Sequence, residues 1–273
     1  MRVWIDDVLL DDPYAPALSV LDHAVTVGDG VFETVKAVHG RPFALTRHLR
    51  RLAASAAGLG LPEVDEQRLR AAVAAVLDGV DDPAVRVRIT VTGGVSPLGS
   101  GRGGRSPTLI VAAGDEIVES PPAAIVTVPW VKNERGAVTG LKTTSYAENV
   151  VALAHARSRD ASEAIFANSR AELCEGTGSN VFAVLDGELV TPPPSSGCLA
   201  GITRALVIEW CGATERVLRM SALDEATELF LTSTTRDVQP VRRCDDRELA
   251  APGSVTAGVR QVWADRAAQD LDP

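Results

Sequence analysis

Three segments lie close together in the middle of the chain: Thr139-Gly140-Leu141-Lys142-Thr143-Thr144-Ser145-Tyr146, Glu175-Gly176-Thr177-Gly178-Ser179-Asn180-Val181-Phe182 and Leu199-Ala200-Gly201-Ile202-Thr203-Arg204. The first places a lysine between an irregular stretch and a helix start. The second is a polar, glycine-rich turn that enters an apolar strand. The third opens a helix, where the first backbone N–H groups lack an intrahelical acceptor and, with the Thr203 hydroxyl, can hold an anion. Later, Leu231-Thr232-Ser233-Thr234-Thr235 ends a strand with four consecutive hydroxyls. Taken singly, such residues are most often surface groups or caps. Together they point to an amine, an acid and an anion pocket.

Lysine is scarce in this chain: Lys36, Lys132 and Lys142 stand against 24 arginines. Arginine stays charged at any accessible pH, whereas lysine can lose its proton and act as a nucleophilic amine. A lysine retained in so arginine-rich a sequence therefore draws attention as a reactive group.

Working outward, the pattern predicts strands at Arg2–Leu9 and Val31–Val38, helices at Leu45–Leu59 and Val64–Val80, and strands at Ala84–Thr92 and Thr108–Ala113. The acidic stretch Gly114–Pro122, closed by two prolines, reads as a linker, giving domains at 1–117 and 123–273. Beyond it the pattern predicts a strand at Ala124–Val128, a helix at Tyr146–Arg157, and strands at Glu163–Asn168, Asn180–Leu185 and Glu188–Thr191, with Asp186-Gly187 as a hairpin turn. A helix at Thr203–Gly212, a strand at Thr227–Thr232 and a helix at Val255–Ala268 follow. Hairpins rather than regular strand–helix alternation make both halves α+β. Gly99-Ser100-Gly101-Arg102-Gly103-Gly104 matches a dinucleotide fingerprint formally, but Pro107 and another strand follow it where that fingerprint needs a helix, so it reads as a flexible loop.

At 273 residues with 45% hydrophobic content, the chain is long enough for two packed domains. Its net charge of −9 argues against a nucleic-acid or anionic-membrane partner. No window nears the roughly 18 apolar residues of a membrane span, and the N-terminus is charged too early for a leader, so the expectation is a cytoplasmic protein. Cys174, Cys198, Cys211 and Cys244 form no close metal-ligand pairs and read as reduced thiols. No metal site is expected.

The sequence resembles the class IV aminotransferases, the fold-type IV pyridoxal-phosphate enzymes, which include D-amino-acid transaminase, 4-amino-4-deoxychorismate lyase and branched-chain aminotransferase. The resemblance runs through Glu175, Thr177, Asn180, Val181, Phe182, Leu189, Thr191, Leu199, Gly201, Ile202 and Arg204. It extends to Gly28-Asp29-Gly30-Val31-Phe32-Glu33-Thr34, His48-Leu49-Arg50-Arg51-Leu52, Lys142, and Ser233-Thr234-Thr235-Arg236-Asp237-Val238-Gln239-Pro240-Val241. It implies a two-domain fold with a smaller N-terminal α/β domain and a larger, β-rich, cofactor-binding C-terminal domain. It also implies a homodimer using pyridoxal 5′-phosphate, an amino donor and a keto-acid acceptor.

By this resemblance Lys142 is the Schiff-base lysine and Glu175 faces the pyridine nitrogen. Arg51, Ile202, Thr203, Ser233 and Thr234 hold the phosphate. Phe32 and Lys36 line the substrate side, and Tyr146 is a candidate for the cofactor's phenolic oxygen. D-amino-acid transaminases carry a tyrosine where this chain has Phe32, and an arginine after Ser-Pro where it has Leu98. Arg86, Arg88 and Arg102 are the available replacements for gripping a carboxylate. The expectation is transfer from D-amino acids, with the lyase second and a branched-chain L-specific enzyme third. A cofactor-free scaffold is the non-enzymatic alternative.

Overall fold

The computed structural model describes residues 1–104 and 106–273, which fall into two units. The first unit comprises residues 1–118 with 141–145 and 271–273; the second comprises 119–140 and 146–270.

In the first unit a six-stranded sheet is formed by β1 (Arg2–Ile5), β2 (Val8–Leu9), β3 (Gly30–Val38), β4 (Arg41–Pro42), β5 (Val85–Thr92) and β6 (Leu109–Glu116), in the order β2-β1-β6-β5-β3-β4. A short helix α1 (His23–Thr26) precedes β3, and α2 (Leu45–Gly58) and α3 (Glu66–Leu77) pack on the sheet. Period-two alternation sorts the side chains. Val85, Val87, Ile89 and Val91 enter the core while Arg86 and Arg88 are exposed between them. On α2, Leu45, Leu49, Leu52 and Ala56 recur at helical spacing and are buried against the same core. The expected strand Arg2–Leu9 is instead a hairpin, because Asp6 and Asp7 take positive φ and turn the chain.

The second unit holds β7 (Ala123–Lys132), β8 (Glu163–Asn168), β9 (Leu173–Gly176), β10 (Asn180–Leu185), β11 (Glu188–Thr191), β12 (Thr214–Glu215), β13 (Glu228–Ser233), β14 (Asp237–Cys244) and β15 (Arg247–Glu248). Eight run in the order β12-β11-β10-β13-β14-β7-β8-β9, and β15 pairs with β14. Helix α4 (Ala147–Arg157) covers β7 and β8, α5 (Ile202–Cys211) packs on β13, α6 (Ala222–Glu225) lies by β10, and α7 (Ser254–Gln269) contacts α5, β13 and β14. Phe182 and Phe230, on paired strands, stack at 4.8 Å within this core. Gly212 ends α5 in the left-handed region at φ 68°, where a side chain would be strained.

Residues 141–145 form part of the first unit's sheet, not of the unit that follows the acidic linker. Phe32 donates its backbone N–H to the Lys142 carbonyl at 2.9 Å, and Thr144 donates to the Gly30 carbonyl at 2.8 Å. Val31 and Thr143 form an antiparallel bridge. The start of β3 thereby gains an edge partner that carries Lys142. Among the described residues, no helix is long and apolar enough to cross a membrane.

Candidate active site

Two groups of candidate residues are assembled, one in each unit. In the first, the edge pairing with β3 delivers Lys142 to Phe32. Its Nζ lies 4.4 Å from the centroid of the Phe32 ring, and the Arg88 guanidinium carbon lies 3.7 Å from the same centroid. The register explains why. Phe32 pairs with Thr90, Thr34 with Arg88 and Lys36 with Arg86, so these residues share one sheet face. Lys36 Nζ stands 5.7 Å from the Phe43 ring centroid.

The opposite face of β3 carries a group that the sequence reading gave no role. Glu33 occupies a core position with no solvent exposure, and a bare buried carboxylate would be costly. Arg51 Nε and Nη2 donate to its two oxygens, both at 2.7 Å, and His48 Nδ1 lies 2.7 Å from Oε2. Burial pushes the Glu33 pKa up, but the Arg51 charge and the hydrogen bonds from Arg51 and His48 outweigh it and hold the carboxyl at about 2. Burial pushes His48 below its ordinary value; Glu33 opposes that shift, and the charges of Arg51 and Lys142 add to it. Arg51 is thus fixed on α2 by a two-pronged ion pair, while its neighbour Arg50 is exposed. A signal was available: Glu33 and His48 are polar residues at core positions of a strand and a helix.

Arg102 is not a loose substrate arginine. Its Nε and Nη2 donate to the two Asp29 oxygens at 2.7 and 2.6 Å, and its other contacts reach the Leu59 and Gly60 carbonyls at the end of α2. The Arg102 hydrogen bond is the first cause of a lowered Asp29 pKa, and these contacts commit the guanidinium. Arg86 pairs with Asp115 at 3.5 Å. Of the arginine trio, Arg88 is the member recorded against the Phe32 ring, the ring that Lys142 also approaches.

In the second unit, Glu175 on β9 accepts the Leu199 N–H at 2.9 Å through Oε2, and Lys132 Nζ lies 3.7 Å from Oε1. Asn180 donates its amide to the Leu199 carbonyl at 2.9 Å, which ties the Glu175 turn to the segment entering α5. A Cβ at Gly201 would collide with Asn180 Oδ1, so glycine is required at this junction. Helix α5 starts at Ile202 with no side-chain cap, and Thr203 in its first turn is buried. Ser233 ends β13, the strand on which α5 packs, and its hydroxyl oxygen is buried without a hydrogen-bond partner. An uncapped helix N-terminus and an orphaned hydroxyl suit a phosphate oxygen. Thr234 and Thr235 follow, half-buried. Tyr146, also half-buried, occupies the N-cap of α4, and its carbonyl accepts from Val150.

The model of the family described as amino-transferase class IV matches residues 30–244. The chain belongs to the class IV aminotransferases. It is 30% identical to a putative branched-chain-amino-acid aminotransferase of Methanocaldococcus jannaschii, over 97% of this chain and 96% of that one. It is also 30% identical to a bifunctional aminodeoxychorismate lyase / D-amino acid transaminase of Mycobacterium tuberculosis, over 91% and 93% of the two chains. Its fold matches a hypothetical aminotransferase from Mycobacterium tuberculosis in PLP-bound form, with a TM-score of 0.86 and 27% identity, covering 97% of this chain and 100% of that one. The α+β, fold-type IV architecture that the resemblance implied is the one this class IV aminotransferase has, and the family's cofactor is pyridoxal 5′-phosphate. The hydroxyl, amide and charged groups described above fit that cofactor's phosphate and ring.

Proposed function

We propose that this class IV aminotransferase takes the amino group of D-amino acids and passes it to a 2-oxo acid such as 2-oxoglutarate or pyruvate. The observation that carries the reading is the Phe32 ring, against which an amine, Lys142, and a guanidinium, Arg88, both stand. A substrate carboxylate gripped by Arg88 holds the amino acid beside the Lys142 amine. When bound, pyridoxal phosphate supplies an aldehyde carbon that receives the amino group and a ring that draws electrons from the substrate Cα. Lys142 Nζ would take the proton from the substrate Cα and give one back, working as base and then as acid. Glu175 keeps a proton on the ring nitrogen. Arg51, the N–H groups of Ile202 and Thr203, and the hydroxyls of Thr203, Ser233 and Thr234 hold the phosphate. Phe32 and Lys36 line the substrate side, and Tyr146 stands by the phenolic oxygen. The reading includes a homodimer, as the family resemblance implies.

Preference for the D-configuration is supported by the Ser233-Thr234-Thr235 run with Val238 and Pro240-Val241, which resembles D-amino-acid transaminases, and by the D-amino acid transaminase activity in the Mycobacterium tuberculosis relative's name. A branched-chain L-specific enzyme is the second reading, favoured by the Methanocaldococcus relative and by Leu98 where D-amino-acid transaminases carry arginine. The test mixes cofactor-loaded enzyme with D-alanine and, separately, with L-leucine, and follows conversion of the cofactor's aldehyde form to its amine form by absorbance. D-Alanine is expected to react at least about tenfold faster. A reversed preference overturns the D-specific reading in favour of the second. No conversion with either, alongside pyruvate release from aminodeoxychorismate, replaces transfer by the lyase reaction that the Mycobacterium tuberculosis relative's name also carries.

A further inference from the structure

Lys132 is one of only three lysines, and it has no part in the proposed amino transfer. It ends β7, two strands from Glu175. Phe166 on the intervening β8 pairs with Glu175 in the register, and the Lys132 ammonium lies 5.0 Å from the centroid of the Phe166 ring. Its Nζ is 3.7 Å from Glu175 Oε1 and 3.3 Å from Asn149 Oδ1. The Asn149 amide nitrogen is spent on the Thr177 carbonyl, two residues beyond Glu175, so its oxygen is turned to the ammonium. Both charged side chains are largely buried, at 20% and 13% exposure, where charges a few ångströms apart interact strongly. The neighbourhood forms a closed loop: Lys132 to Asn149, to the turn after Glu175, and back through the carboxylate.

We propose that Lys132 is a positioning residue, the standing counter-cation of Glu175, which sets how strongly that carboxylate favours a protonated ring nitrogen over an uncharged ring. The inference rests on the reading that Glu175 faces the cofactor's ring nitrogen. The choice of lysine in so arginine-rich a chain follows from shape. A guanidinium here would fork onto both carboxylate oxygens, taking the positions the ring needs. An ammonium at 3.7 Å lies beyond hydrogen-bond length and neutralises charge without occupying the carboxylate. With Lys132 in place, Glu175 tolerates an uncharged ring, because its own charge is already balanced. Without it, a ring C–H against the carboxylate becomes costly and a pyridinium becomes more welcome.

The test compares binding of pyridoxal 5′-phosphate and of its 1-deaza analogue, in which a C–H replaces the ring nitrogen. Each is titrated into cofactor-depleted full-length wild type, K132M, K132R and E175Q by quenching of tryptophan fluorescence. The ratio of the two dissociation constants is expected to rise about tenfold or more in K132M, and to stay at or below the wild-type ratio in K132R. A merely structural role for Lys132 would weaken both ligands alike and leave the ratio in K132M at the wild-type value, which overturns the proposal. E175Q separates the two layers of argument. Loss of discrimination there supports the role of Glu175 whatever K132M does, and a wild-type ratio in E175Q removes the Glu175 reading and this proposal with it.

Discussion

Arg88 and Lys142 meet at Phe32 although 54 positions separate them in sequence, and the reason is register. Strand pairing sets Arg88 opposite Thr34, one step along the face from Phe32, while the Phe32 N–H fixes the Lys142 carbonyl. The guanidinium lies over the ring face with its Nε 3.4 Å from the Thr90 hydroxyl, and charge-assisted pairs between guanidinium and carboxylate are among the stronger hydrogen bonds. Replacing Arg88 by leucine keeps bulk on the ring and removes the donors. We expect R88L to raise KM for the amino donor about tenfold to a hundredfold, with a smaller change in the spectrum of the bound cofactor. An unchanged KM, measured by steady-state kinetics, would remove Arg88 from the substrate contact. At this scale the sequence was legible for residue types and not for their commitments. It offered Arg86, Arg88 and Arg102 as equals, because nothing local reveals that Asp29 and the end of α2 claim Arg102 or that Asp115 holds Arg86.

At the scale of elements, α2 and β3 are joined by charge as well as by apolar packing. Glu33 on the strand is gripped by Arg51 and His48, one turn apart on the helix. Its carboxyl sits at about 2 in the fold, below its ordinary value, so this stabilisation is complete above about pH 4.5 and is lost as pH falls towards 2. His48 is depressed below 6.5, so the unfolded chain takes its proton first, and stability from this group declines as pH drops through that value. E33Q removes the buried charge that Arg51 and His48 grip and is expected to cost about 3–5 kcal/mol of unfolding free energy at pH 7. It should also flatten the loss of stability below pH 4.5. Urea midpoints collected from pH 7 to 3.5 check this, and superimposable curves for wild type and E33Q would contradict it. Elements with one clean period, α2 and β5, and the continuously buried apolar run of β10 were readable and lie within a residue or so of expectation. β14 was not, because Pro240 argues against an inner strand, yet the strand pairs with β13 and β7 on its two sides. Residues 141–145 were placed with the wrong neighbours because edge pairing to β3 leaves no local mark.

For the whole chain, the net charge led to the expectation of no nucleic-acid or anionic-membrane partner, and scarce lysine pointed to amine chemistry. Each unit carries its own apolar core, built on the first unit's sheet and helices in one case and on the nine strands of the second in the other. The candidate residues divide between them, with Lys142, Arg51 and Arg88 in the first unit and Glu175, the start of α5 and Ser233 in the second. Family membership and cofactor type were legible because they rest on residues of fixed chemical role. Substrate preference was not, since nothing local in the sequence shows which arginine stands at the Phe32 ring. The chemistry turns on one amine among three. Borohydride reduction of the cofactor-loaded protein, followed by proteolysis and mass mapping, locates the attached pyridoxyl group directly. Stoichiometric label is expected on Lys142, with Lys36 and Lys132 unmodified. Label on either of those two, or none on Lys142, would contradict it.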